Sequence, residues 1–301
     1  MSTHAATVSP VLHALLERVV DYAGLFPPAA LSMPDAVAEY ARQRRSPNAW
    51  MLGRFVVPVT RLDELAGAGQ AVRERDESTW PVSALVGADP AGDFQVIRAF
   101  NARHGGRFAV EAVELRAATP EAIDFALAQR RDALEHYVEI AIEDDPRALL
   151  QAIRRHGARA KVRTGGVTAD AFPSPAALGR FIVACAELGV PFKATAGLHH
   201  PLRGEEPLTY ESGATAATMF GFLGVFTAAA LARNGADEAT VIAVLEERDA
   251  SAFSFTANAL RWRDRTLDAG QVSAARREFA LSFGSCSFRE PVDDLHRLGI
   301  L

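Results

Sequence analysis

The residue whose chemistry stands out first is Lys193, in the stretch Val190-Pro-Phe-Lys-Ala-Thr-Ala-Gly-Leu-His-His-Pro201. These residues read as a short strand that a glycine, two histidines and a proline bring to a stop. A lysine inside a buried strand is costly to keep charged without compensation. Once neutral it is a nucleophile. It attacks a carbonyl to give a Schiff base, and the iminium then serves as an electron sink for making or breaking a carbon–carbon bond. Lys161 and Arg163, on the preceding strand, supply a neighbouring cation, Glu139 an acid–base group and Thr195 a hydrogen-bond partner. Lysine is scarce beside arginine here, so each strand lysine is the more noticeable.

Two other chemistries compete. His199 and His200, with Glu143 or another strand glutamate, are a candidate set for a divalent metal, and a metal-dependent lyase, isomerase or hydrolase would follow. No H-x-H or H-E-x-x-H spacing accompanies them. The lysine chemistry needs no cofactor. The run Lys161-Val-Arg163-Thr164-Gly165-Gly166 joins two cations to a hydroxyl and flexible backbone amides, which suits a phosphate or carboxylate. Arg203 and the Gly284-Ser-Cys-Ser287 loop are further donors. The bland counterpart is a structural salt-bridge network in a non-catalytic small-molecule-binding barrel.

The elements that must position these groups form a rhythm. Strand-like segments begin near Arg54, Val82, Val110, Tyr137, Ala160 and Pro191, 23 to 31 residues apart, with helix-type segments between them. Repeats of this length are βα units of a parallel sheet. Six of them in 301 residues, without a glycine-rich phosphate fingerprint after the first strand, favour a (β/α)8 barrel of TIM type over an open doubly wound sheet. The last two units are irregular: strands are expected near Thr218 to Val225, where a helix fits equally well, and near Ala252 to Leu260. Val272 to Ser282 reads as a helix and Phe283 to Pro291 as a loop. Pro10 to Ala23 and Met33 to Gln43 read as helices. One domain results, with residues 1–50 as a helical extension and 51–301 as the barrel.

Side chains alternate faces along a strand. With the apolar set turned to the helices, Glu114, Arg116, Glu139, Glu143, Lys161, Arg163 and Lys193 fall inside the barrel or at its mouth. Glu114 and Arg116 thus join Arg163, Thr164, Gly165, Gly166 and Thr195 as substrate-binding candidates, beside the catalytic set Lys193, Glu139 and Lys161. The aromatics and prolines of Asp21-Tyr22 and Phe26-Pro27-Pro28 need burial. Packing or a subunit contact is the simplest reading, a cover over the barrel mouth the other. Arg261-Trp262-Arg263 and Arg276-Arg277 read as solvated surface.

A net charge of −5, with 49% hydrophobic and 23% charged residues, speaks against a nucleic-acid or membrane-surface partner and leaves a small anionic molecule or a second copy of the chain. Cys185 and Cys286 form no C-x-x-C pair, and no disulfide framework is expected, so a reducing cytoplasm is the default. Met1 to Pro10 lack the basic and apolar regions of a secretory signal.

Pro-Phe-Lys193-Ala-Thr-Ala-Gly197, on the sixth strand of this reading, resembles the Lys-Thr-Ser-Thr-Gly strand of the deoxyribose-phosphate aldolases. In that family the sixth-strand lysine forms the Schiff base and a second lysine lies on the next strand. The resemblance implies that Lys193 forms the Schiff base. The wider pattern of DYAGLFPPA, KVRTGG, KATAGLHHP and SFGSCSF-x-EP resembles a family of uncharacterised bacterial proteins, which implies a shared function without specifying a reaction.

Overall fold

The computed structural model describes residues 8–72, 78–130 and 133–301. The reading of Met1 to Pro10 therefore lies largely outside the described residues. The chain folds into a closed eight-stranded, all-parallel barrel with interleaved helices, an α/β (β/α)8 barrel of TIM type. Its first seven strands are β1 (Val20–Tyr22), β2 (Leu52–Pro58), β3 (Trp80–Leu85), β4 (Phe108–Arg116), β5 (Glu135–Glu139), β6 (Arg159–Arg163) and β7 (Phe192–Thr195). A hairpin, β8 (Gly204–Pro207) and β9 (Ala216–Met219), and an antiparallel sheet, β10 (Phe253–Phe255), β11 (Ala259–Trp262) and β12 (Arg265–Asp268), come before the closing strand. That strand, β13 (Ala280–Ser285), pairs with β7 on one side and β1 on the other.

The local chemistry of the helices is plain. Helices Met33–Gln43, Pro90–His104, Pro120–Ala128 and Pro175–Leu188 each carry a proline in the first turn. Each is capped by a side-chain oxygen, from Ser32, Asp89, Thr119 and Ser174 respectively, that accepts an otherwise orphan N–H. Val113, Val138, Val162, Phe192 and Ala194 are buried on the strands, alternating with the ionisable residues as expected. No helix among the described residues is long and apolar enough to cross a membrane.

The structure corrects the ends of the chain. The first helix stops at Leu16, Arg18 turns into the left-handed region at φ 48°, and Val20–Tyr22 pairs into the barrel. Residues 1–50 are thus no separate extension, because they hold a barrel strand. The segment expected as a seventh strand near Thr218 is split between β9 and helix Phe222–Arg233, whose apolar residues are buried on every side. Ala252 to Leu260 belongs to the antiparallel sheet. The eighth barrel strand instead occupies Ala280–Ser285, where a helix end and a loop were expected. Both closing strands escape an apolar-run reading for one reason: their barrel-facing positions hold Asp21 and Ser282. The Ser282 hydroxyl donates to the Asp21 carboxylate at 2.7 Å. Lys193 accordingly lies on the seventh barrel strand, and Lys161 on the sixth.

Candidate active site

The strand register stacks an alternating chain of charges through the barrel. Asp21 begins it: the Arg54 backbone N–H donates to Asp21 Oδ1 at 2.9 Å, an approach that a side chain at position 53 would block, since a Cβ on Gly53 would lie 2.5 Å from that oxygen. Lys193 Nζ donates to Asp21 Oδ2 at 2.5 Å and to Glu114 Oε1 at 2.7 Å. Lys161 Nζ reaches the other oxygen of Glu114 at 2.7 Å and Glu139 at 2.8 Å. Arg116 then donates to Glu139 at 2.5 Å, and Arg163 stands 3.9 Å from the same carboxylate. Ser83 adds a hydroxyl to Glu114 at 2.7 Å. Three carboxylates (Asp21, Glu114, Glu139) therefore face four cations (Lys193, Lys161, Arg116, Arg163), one positive charge in excess. The two lysines of this run are the only two in the chain.

Burial opposes charge on Asp21, Glu114, Glu139 and Lys193, and their partners overcome it. Asp21 is held below the usual carboxylate range by Lys193 and Arg54, Glu114 by Lys161 and Lys193, and Glu139 by Lys161 and Arg116. Burial likewise favours neutral Lys193, but Asp21 and Glu114 more than reverse this and push its pKa up. Lys193, 1% exposed, is a fixed ammonium in this arrangement.

Above the charges lies a cavity of about 400 Å³ at the carboxyl ends of the strands, the end that carries chemistry in this fold. Glu114, Arg116, Glu139, Lys161, Arg163, Gly166, Lys193 and Thr195 line it. The segment after β1 lines it with Ala23, Phe26, Pro27 and Pro28, and the β8–β9 hairpin adds Leu208 and Tyr210. The four sequence segments of the wider resemblance all contribute to this one cavity.

Other expectations are redirected. The Thr164 hydroxyl donates to the Ala196 carbonyl at 2.5 Å, and Gly165 lies beneath the Phe172 ring. These two residues lock the turns after β6 and β7 together instead of lining the cavity. Gly197, at φ 67°, completes that lock, since a Cβ there would meet the Gly165 backbone at 2.8 Å. Arg203 does not line the cavity and packs over the Phe220 ring, 4.7 Å from its centroid.

The set His199, His200 and Glu143 does not assemble. Glu143 is exposed beyond the end of β5, and the two histidines face different carboxylates. Among the described residues no group of three or more His, Cys, Asp or Glu is arranged to hold a metal ion. What the sequence reading missed are the histidines' partners on helix Arg289–Arg297. His199 Nδ1 lies 3.2 Å from Glu290 and His200 Nδ1 2.6 Å from Asp294. Glu290 and Asp294 are four residues apart, one helical turn, which matches the 6.3 Å between the imidazole centroids. The Glu-x-x-x-Asp spacing was visible in the sequence, but nothing in it pointed to the histidines. Asp21 was visible too, hidden in what read as a loop. No family model matches the chain, and no match was found among curated proteins.

Proposed function

We propose that the protein is a lyase of aldolase type, acting on a small oxygenated anionic carbonyl compound through a lysine Schiff base, with Lys161 rather than Lys193 as the nucleophile. The observation that carries this reading is the sharing of Glu114 by both lysines inside the cavity. Lys193 is the inner partner, clamped between two buried carboxylates and kept charged. Lys161 is the outer one, and its second carboxylate, Glu139, is tied to the arginine rim. A neutral Lys193 would strand Asp21, whereas Glu139, the second carboxylate of Lys161, keeps Arg116 as a partner. The aldolase resemblance rests on the residues around Lys193, but the strand positions it brings with it favour the other lysine. Counted around this barrel, a Schiff-base lysine on the sixth strand and a second lysine on the next correspond to Lys161 on β6 and Lys193 on β7.

In this mechanism Lys161 passes a proton to Glu139 and its Nζ attacks the substrate carbonyl carbon. The carbinolamine loses water to give an iminium. The β-hydroxyl then loses its proton, the Cα–Cβ bond breaks, and its electron pair moves into the iminium, leaving an enamine and a free aldehyde. Protonation of the enamine carbon and hydrolysis of the iminium release the second product and Lys161. Arg116 and Arg163, with side chains 75% and 46% exposed at the rim, bind the anionic group.

Reduction with cyanoborohydride in the presence of acetaldehyde or pyruvate tests this. The expected result is one reduced adduct per chain on the Lys161 peptide. In Lys161→Arg the adduct should be lost, with turnover down about 10³-fold or more. An adduct on Lys193, or none above the N-terminal background, overturns the assignment.

A further inference from the structure

Beyond the end of β7, the cavity wall holds two imidazoles that the Schiff-base chemistry above does not use, and they are not equivalent. His200 is held at both ring nitrogens, Nδ1 by Asp294 at 2.6 Å and Nε2 facing Glu206 at 3.9 Å. His199 makes all its polar contacts through Nδ1: to Glu290 at 3.2 Å, to the Ser285 hydroxyl at 3.3 Å and to Cys286 Sγ at 4.0 Å. Its Nε2 has no protein partner among the described residues, and the residue lines the cavity. Glu290 is itself braced. The Tyr210 hydroxyl donates to it at 3.0 Å from the hairpin loop. A carboxylate on Nδ1 with a free Nε2 is the arrangement that orients a histidine for proton transfer.

We propose that His199, oriented by Glu290 and Tyr210, is the proton donor and acceptor for substrate oxygens in this cavity. The proposal rests on the Schiff-base reading and adds the acid that reading lacks. Imidazolium Nε2–H gives its proton to the carbinolamine hydroxyl. The C–O bond breaks with its electron pair on the departing water, the Lys161 nitrogen lone pair forms the C=N bond, and His199 is left neutral. At cleavage, Nε2 takes the proton of the β-hydroxyl and is charged again, so protons balance over the two steps. The surroundings favour the charged form at the start. Burial pulls the imidazole pKa down, but contacts with Cys286 and Glu290 outweigh it and raise it to about 9. The ionisable groups facing the ring are Glu290 from the last helix, Cys286 after β13, Tyr210 from the hairpin, through its contacts with both, and the adjacent His200.

The test is the rate of iminium formation, quenched with borohydride at short times, in the wild type, His199→Gln and Glu290→Gln, with pyruvate as probe across pH 6 to 10. His199→Gln should still be labelled at Lys161, but about 10²-fold more slowly or worse. The alkaline fall in wild-type rate should centre near pH 9, and Glu290→Gln should move it to lower pH. NMR titration of the imidazole should show the same displacement. Labelling of His199→Gln at the wild-type rate, or a pH profile unmoved by Glu290→Gln, overturns this proposal alone. Absence of any Lys161 adduct in the wild type overturns the Schiff-base reading and this proposal with it.

Discussion

The two ends of the barrel both hold charged cavities of nearly equal size, about 400 Å³ at the carboxyl ends of the strands and about 380 Å³ at the amino ends. At the amino end the two most buried guanidiniums, Arg276 and Arg54, are both engaged by the scaffold. Arg276 is fully buried, and its guanidinium donates to the carbonyls of Leu15, Glu17, Ala280 and Leu281. It is structural, not the solvated surface its sequence context implied, and although burial pulls its pKa down to about 10, it keeps its charge at neutral pH. Arg54 lies between Glu111 and Glu135, at 3.4 and 3.1 Å. At the carboxyl end hydrogen-bonding capacity is left over: His199 Nε2, two rim guanidiniums and a lysine at the cavity floor. The number of buried charges does not tell a site from a scaffold. An imidazole nitrogen left open to a cavity beside buried lysines does. Asp21 belongs to both ends, taking the Arg54 N–H on one oxygen and Lys193 and Ser282 on the other.

That contrast is breakable by substitution. The largest effect expected is from Lys193→Met, which leaves Asp21 and Glu114 as buried carboxylates short of a cation and should cost about 3–5 kcal/mol in urea unfolding. Arg276→Leu should cost roughly 2–4 kcal/mol through four orphaned carbonyls. It should nonetheless leave the Lys161 adduct yield unchanged wherever the protein stays folded, and a lost adduct would erase the distinction between the two ends.

The pH dependence comes next. Asp21, Glu114 and Glu139 have depressed pKa values, so their contribution to stability is present above the ordinary carboxylate values of 3.8 and 4.5 and is lost as pH falls below them. Lys193 has a raised pKa, so its contribution is present below 10.5 and is lost only above it. The urea midpoint should therefore fall on the acid side in the wild type. In Lys193→Met the slope should reverse, because the stranded carboxyls gain from protonation. The smallest effect on stability is expected at the rim. Arg116→Gln and Arg163→Gln should change it by no more than about 0.5 kcal/mol. Each should raise KM for an anionic substrate about tenfold, with little change in kcat.

Much of this was legible in the residues. The βα rhythm from Arg54 to Thr195 matches β2 to β7, and strand parity placed Glu114, Glu139, Lys161 and Lys193 on one face, where the structure pairs them. Parity is a property of the extended backbone alone, so it can be read without a partner strand. Glu143 was misplaced because β5 ends at Glu139, after which alternation no longer holds.

The sequence by itself determined the repeat, the helix caps, the inward ionisable set and the scarcity of lysine. Only the tertiary structure decided which segments close the barrel, which lysine is clamped and which is outermost, and which carboxylates orient His199 and His200 from about ninety residues away. The physical reason is that alternation and capping are local, over one strand or one turn. Closure, charge pairing and a free imidazole nitrogen depend on the register between strands and helices far apart in the chain, where a three-residue strand holding an aspartate carries no apolar signal of its own.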